Sequence, residues 1–250
     1  MFWRMCRIFQ LAALGTLLAA TASADVIVLS FDGLQDDEAV LDYYNGGYGS
    51  KGSGPGPGDG ITFTSNGTAY ISINNGGTGQ FAGTPVGDTA FTFLTGDTAT
   101  MNVPAGFTTG FSFYYSEVFN SETIYIWSGL NATGTLLATV PLPITPSEQG
   151  SNPACSNADD TFCPFFALGV TFVGTAESVD FSGAEGQVAF DDITLGSDTP
   201  GVPEPAAFIS LGFGLASLLV FSGRQRKLQQ GWWTPGSMSR RLRPRPCVSL

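Results

Sequence analysis

The chain predicts an all-β fold, an antiparallel β-sandwich spanning residues 25–200. Three observations predict it. Short runs of alternating apolar and polar residues recur between Gly, Asn, Asp and Pro turns. No stretch of this middle region sustains a 3.6-residue apolar period. The composition is 33 Gly, 12% aromatic and only 12% charged, which suits short strands joined by tight turns.

The runs come in order: Val26–Phe31, Thr68–Ile73, Thr89–Leu94, Phe111–Tyr115, Thr123–Trp127, Thr135–Val140, Leu168–Val173, Ser178–Phe181 and Val188–Leu195. About ten strands in about 176 residues fit one domain made of two packed sheets. Only Gln35–Tyr44 offers a short helix, with Asp36, Asp37 and Glu38 favourable at its N-terminal end. Asn45–Gly60 is Gly/Ser/Pro-rich and reads as a mobile loop. Ser147–Asp160 reads as a second, polar loop, and Gly196–Val202 as a linker. No internal repeat stands out.

Both ends read as trafficking segments. Arg4 and Arg7 precede a mostly apolar stretch, Ile8–Ala20. Ala22-Ser23-Ala24 follows as an A-x-A cleavage site, so residues 1–24 read as a signal peptide and the mature chain is expected to begin at Asp25. At the other end, Val202-Pro203-Glu204-Pro205 leads into the apolar run Ala206–Phe221 and then the basic cluster Arg224, Arg226 and Lys227. Sixteen helical residues reach roughly 24 Å, somewhat short of the ~30 Å hydrocarbon core, so length alone also admits a buried helix. Pro203 and Pro205 before the run, and positive charge after it, favour a membrane helix over residues 206–222 with a cytoplasmic C-terminus. Between Asp25 and Pro200 there are 20 acids and one base, Lys51, a net charge of 1 − 20 = −19; Ala206–Leu250 carries seven bases and no acid. That asymmetry is what the positive-inside rule expects.

The order of motif, apolar run and basic cluster over Val202–Lys227 resembles the PEP-CTERM sorting signal of bacterial envelope and exported proteins. The resemblance implies an exosortase partner, processing at the inner membrane, and delivery to an envelope or extracellular location. Genomes with this system usually make exopolysaccharide, which nominates extracellular polysaccharide as a second partner. The chain departs from the family pattern by continuing over residues 228–250, a basic tail that is a real extension, a disordered one, or the product of a misread stop codon or frameshift. Separately, the strands from Phe107 to Leu142, with Phe181 to Ile193 closing the domain, look like a jelly roll of the carbohydrate-binding or lectin-like kind. That likeness is a strand pattern and dictates no function.

Four cysteines reduce to two in the exported region, Cys155 and Cys163, eight positions apart. In an oxidising compartment they are expected to form a disulfide; a Cys-based metal site needs more ligands than the chain offers. The chain has no histidine, which removes Ser-His-Asp and Cys-His nucleophiles, a His general base and His-ligated zinc or copper. Leu29–Leu34 superficially resembles the metal-binding strand of phosphodiesterases and sulfatases, whose further His ligands cannot exist here.

The best candidate site is a structural Ca²⁺; the jelly-roll likeness, in which the first and last strands often share such an ion, nominates Asp32 with Asp191 or Asp192. Adjacent residues of one strand face opposite sides, so one of Asp191 and Asp192 falls among apolar neighbours unless a bulge intervenes. Asp191 would share a face with Ala189, Ile193 and Leu195, and Asp192 with Val188 and Phe190. A buried carboxylate with almost no cations to pair with favours a hard metal ion. The alternative is a strand-end carboxylate accepting backbone N–H bonds. Glu117, Glu122, Asp159, Asp160, Glu177 and Glu185 could supply a glycosidase pair, although no spacing singles one out. Tyr44 and Tyr48 border the Gly-rich loop and are expected to be exposed for sugar stacking. The acidic excess argues against nucleic acid and anionic membrane surfaces. Together these features point to an exported envelope or matrix protein without evident catalysis. A calcium-dependent carbohydrate-binding module is the first alternative and a glycoside hydrolase the second.

Overall fold

Alternating side chains make each strand a two-faced object, and two layers bury the apolar faces against each other. The computed structural model describes residues 26–182 and 186–201. The expected signal peptide, sorting motif, membrane helix, basic flank and tail lie outside the described residues. Twelve strands are present: β1 Ile27–Leu29, β2 Glu38–Ala39, β3 Thr62–Phe63, β4 Gly67–Ile71, β5 Thr89–Phe93 and β6 Thr98–Phe107. They continue with β7 Gly110–Glu117, β8 Glu122–Gly129, β9 Thr133–Leu142, β10 Phe166–Thr171, β11 Ala176–Ser182 and β12 Val188–Leu195. Among the described residues the only helical pieces are 3-10 turns at Ile73–Asn75 and Pro153–Cys155.

The strands form two antiparallel sheets. One has seven strands in the order β10-β7-β12-β5-β4-β2, with β1 also paired to β12. The other has five, in the order β3-β6-β11-β8-β9. Between the layers lie Phe31, Phe91, Phe111, Phe113, Phe181 and Phe190, all fully buried. Phe91 is the hub: its ring lies 5.3 Å from Phe31, 5.1 Å from Phe63 and 5.2 Å from Phe181. Burying each such ring contributes about 1.5–3 kcal/mol. Gly67 lets β4 approach this hub, since a Cβ there would sit 2.8 Å from Phe91 Cε2. The main aromatic core and its strand ladders are all built from residues 27–195.

Three local expectations are corrected. Gln35–Tyr44 is a set of turns around β2, not a helix. Asp37 and Leu41 have left-handed φ of 54° and 49°, and the Glu38 carboxylate accepts the backbone N–H groups of Gln35, Lys51 and Ser53. Those side-chain bonds give the backbone a better alternative to a helical turn. Asn45–Gly60 is a tied excursion: Gly46 N–H donates to Pro57 O, Gly49 N–H to Ser53 O, and Gly56 N–H to Gly47 O. Thr98–Phe107, which carries no strand in the sequence reading, is β6. It lies inside the smaller sheet and buries Ala99, Met101 and Val103.

Candidate metal centre

β12 changes its neighbour on one side partway along. Phe190 faces Phe91 of β5, whereas Ile193, Thr194 and Leu195 face Leu29, Val28 and Ile27 of β1. Asp191 and Asp192 occupy the switch. The inward-facing residues also change parity there. Val188 and Phe190 join the main core before the switch, and Ile193 and Leu195 after it, while Ala189 joins a separate cluster on the outer face. A bulge in the β12–β7 register between Asp191 and Thr194 accommodates the change, with Asp192 at φ 46°. The simple alternation that grouped Asp191 with Ile193 and Leu195 is therefore corrected. Asp and Asn are among the few residues that accept a left-handed φ at modest cost.

The bulge buries both carboxylates. Asp191 and Asp192 are 0% exposed. Asp191 Oδ1 accepts the Asp192 backbone N–H at 2.7 Å, and the Val86 backbone also donates to this carboxylate. Asp191 Oδ2 and both carboxylate oxygens of Asp192 are buried without a hydrogen-bond partner among the described residues. Asp32, three residues past the end of β1, stands at the solvent side. Its Oδ1 accepts the Asp88 backbone N–H at 3.3 Å, and the Thr89 backbone also donates to it. Gly87 holds the opposite loop against this group: at φ +64°, a Cβ there would lie 1.9 Å from Asp32 Oδ1.

Three like charges gather here with no cation. Among the described residues the sole Lys or Arg is Lys51, which pairs with Asp37 at 3.2 Å on the surface. Burial, then the charges of Asp192 and Asp32, push Asp191 up to about 9. Burial, then Asp32, pushes Asp192 up to about 7. Burial also raises Asp32. Such a group is stable only with protons or a counter-ion. All the donors are hard oxygens in an irregular loop-and-bulge setting, the chemistry Ca²⁺ accepts and Mg²⁺, with its stricter octahedron, does not favour. Among the described residues no group of three or more His, Cys, Asp or Glu side chains is placed so that it could hold a metal ion. Asp32 is turned to the backbone amides of residues 88 and 89.

The other anticipated residues fall as follows. Cys155 and Cys163 form a disulfide. Tyr48 is 56% exposed, as expected. Tyr44 is corrected: it is 4% exposed, its ring packs edge-on against Phe31 at 5.7 Å, and its hydroxyl accepts the Phe31 N–H at 2.7 Å. Its flanking loop is polar, but the ring is needed to finish the core at the end of β1. Glu117 and Asp160 are buried as loop caps. Glu117 Oε1 accepts Phe119 and Asn120 N–H, and Asp160 binds Asn74 Nδ2 and Asn157 N–H. Glu185 lies outside the described residues.

Sequence reasoning missed two features. One is the Val86–Asp88 loop over the carboxylates; only the turn signal Thr84-Pro85-Val86-Gly87 hints at it. The other is a groove of about 200 Å³ on the outer face of the seven-stranded sheet. Its floor includes Ala90 and Ala189, and its walls include Tyr70, Phe81 and Phe162.

No family model matches the chain, and no curated protein matches it. Among solved structures, the K2 cleaved adhesin domain of Lys-gingipain is similar at 12% identity, covering 69% of this chain and 100% of that one, with a TM-score of 0.44.

Proposed function

We propose that the chain is an exported, non-enzymatic β domain of the cell envelope or extracellular polysaccharide matrix, closed by a structural Ca²⁺ at Asp32, Asp191 and Asp192. The observation that carries the metal is the set of orphaned, fully buried carboxylate oxygens where β12 passes from β5 to β1. Calcium neutralises them and ties the first strand to the last. Delivery rests on the PEP-CTERM-like segment Val202–Lys227 and an exosortase. The lack of histidine and the capping duties of Glu117 and Asp160 favour a display role over a glycoside hydrolase.

The test has two arms. Thermal unfolding of the full chain in Ca²⁺, Mg²⁺ or EDTA should show selective stabilisation by Ca²⁺; identical curves overturn the metal. In a host with an exosortase, the chain should fractionate with the envelope or matrix, and Pro203→Ala with Pro205→Ala should retain it at the inner membrane. Unchanged fractionation overturns the sorting route.

A second reading, a calcium-dependent carbohydrate-binding module, is favoured by the aromatic groove on the outer face of the seven-stranded sheet. Tyr48 is a further stacking candidate on the Gly-rich excursion.

A further inference from the structure

We infer that the outer-face groove is the ligand site of this domain, taking one ring of an uncharged sugar chain, with the disulfide loop as one wall. The inference deepens the carbohydrate-binding reading and rests on it.

The groove is built from five segments that are apart in sequence. Tyr70 comes from β4, Ala90 and Thr92 from β5, and Ala189 from β12. Across them lie Gln80 and Phe81, joined to Phe162 by a parallel bridge between Phe81 and Phe162. Phe162 immediately precedes Cys163, and Cys155, Cys163 and Ala82 form one small buried cluster. The disulfide thus fixes the wall that carries Phe162. Phe119, 55% exposed, packs edge-on against Phe162 at 5.8 Å and extends the aromatic surface outward.

Shape and charge select the occupant. A cavity of about 150 Å³ accepts a benzene-sized ring, so the volume here suits a single six-membered ring. Small alanines on the floor and aromatic walls leave a slot for the apolar face of a pyranose. The Gln80 amide and the Thr92 hydroxyl stand at the rim with no hydrogen bond among the described residues, free to meet sugar hydroxyls. An extended peptide is a poor fit, because β12, β5 and β4 are interior neighbours whose edges are already paired. A helix needs a longer trough for its successive anchors. Asp36 and Asp37 lie beside the groove, Asp37 accepting from the Tyr70 hydroxyl at 2.8 Å and Asp36 from the Thr78 hydroxyl at 2.9 Å. With an ectodomain charge of −19, a polyanionic chain is repelled.

The test is titration of the full chain in Ca²⁺, by saturation-transfer NMR and calorimetry, with cellohexaose, mannohexaose and xylohexaose as neutral probes and hexaguluronate as the anionic one. At least one neutral probe should bind and hexaguluronate should not. Ala90→Phe, which fills the floor, should weaken binding at least about tenfold, a change of about 1.4 kcal/mol. Gln80→Ala at the exposed rim should weaken it several-fold and serves if Ala90→Phe fails to fold. Val173→Ala, at an exposed position outside the groove lining, should leave it unchanged. No binding of any neutral probe, preference for hexaguluronate, displacement by an apolar peptide, or loss on Val173→Ala instead of the groove variants would each overturn the assignment. Sugar binding with no Ca²⁺ effect on unfolding sinks the metal alone; a Ca²⁺ effect with no sugar binding sinks the groove alone.

Discussion

Asp192→Asn isolates what the buried acids contribute. Asparagine keeps the size of the side chain and tolerates the 46° φ, so the substitution removes charge and little else. In wild-type protein without metal, the Asp192 carboxyl is pushed from 3.8 to about 7. A carboxylate raised in the folded state leaves the native form holding more protons than the unfolded one. Its penalty is absent below the unfolded value, grows as pH rises from about 4 to about 7, and is constant above. Three pH units at about 1.4 kcal/mol each set an upper bound of about 4 kcal/mol at alkaline pH. Asp191, pushed up to about 9, extends the decline further. Metal-free wild type is therefore expected to melt lower at about pH 8 than at about pH 5, and Asp192→Asn to recover a few kcal/mol at the higher pH. Saturating Ca²⁺ narrows the gap between the two proteins. At a hundredfold excess over Kd it adds about 2.7 kcal/mol to wild type, roughly 5–11 °C for a domain of this size, and little to the variant. The assay is differential scanning calorimetry of both proteins at the two pH values, in EDTA and in Ca²⁺. The reasoning is refuted if Asp192→Asn destabilises the metal-free protein at the higher pH and neither protein responds to Ca²⁺.

Four further outcomes are expected. Gly87→Ala introduces a Cβ 1.9 Å from Asp32 Oδ1 at φ +64°, so it should weaken the Ca²⁺ response as well as stability, read from the same melting curves. Cys155→Ser with Cys163→Ser opens a nine-residue loop and should cost about 2.5 kcal/mol in the chain-entropy account, measured by urea unfolding. Tyr44→Phe removes the acceptor of the buried Phe31 N–H and should cost about 1–3 kcal/mol without altering sugar binding. Glu117, fully buried and pushed up to about 7 chiefly by burial, has one unpartnered oxygen, so Glu117→Gln should flatten the fall in stability between about pH 4 and about pH 7.

Much of the sheet structure was legible where one face is buried and the other polar. β8 alternates visibly, with Ile124 and Ile126 buried between less buried neighbours, and Val188–Leu195 coincides with β12. The two acids at the β12 switch were legible as unpaired charge in a strand, yet the bulge was not, because the parity change between Phe190 and Ile193 reads in sequence as uninterrupted strand. β6 escaped notice because Asn102, Pro104 and Gly106 mimic a turn, while its irregular register against β11 absorbs them. Tyr44 misled because a polar loop hides the long-range contact with Phe31. The groove was illegible for the same reason: Tyr70, Ala90, Phe162 and Ala189 meet only after β4, β5 and β12 are laid side by side.

The partner switch in β12 also has a mechanical meaning. Any pull on the chain beyond Gly201 enters the domain through β12, which lies inside the larger sheet with β7 along one side and β5, then β1, along the other. Force along that strand loads its ladder bonds in parallel, so they must fail together rather than peel one at a time. An ion bridging Asp32 to Asp191 and Asp192 would fasten the same strand to the stretch that follows β1. If Ca²⁺ binds there, the segment that carries load would also hold the ion, and calcium supply would set how much tension the domain withstands.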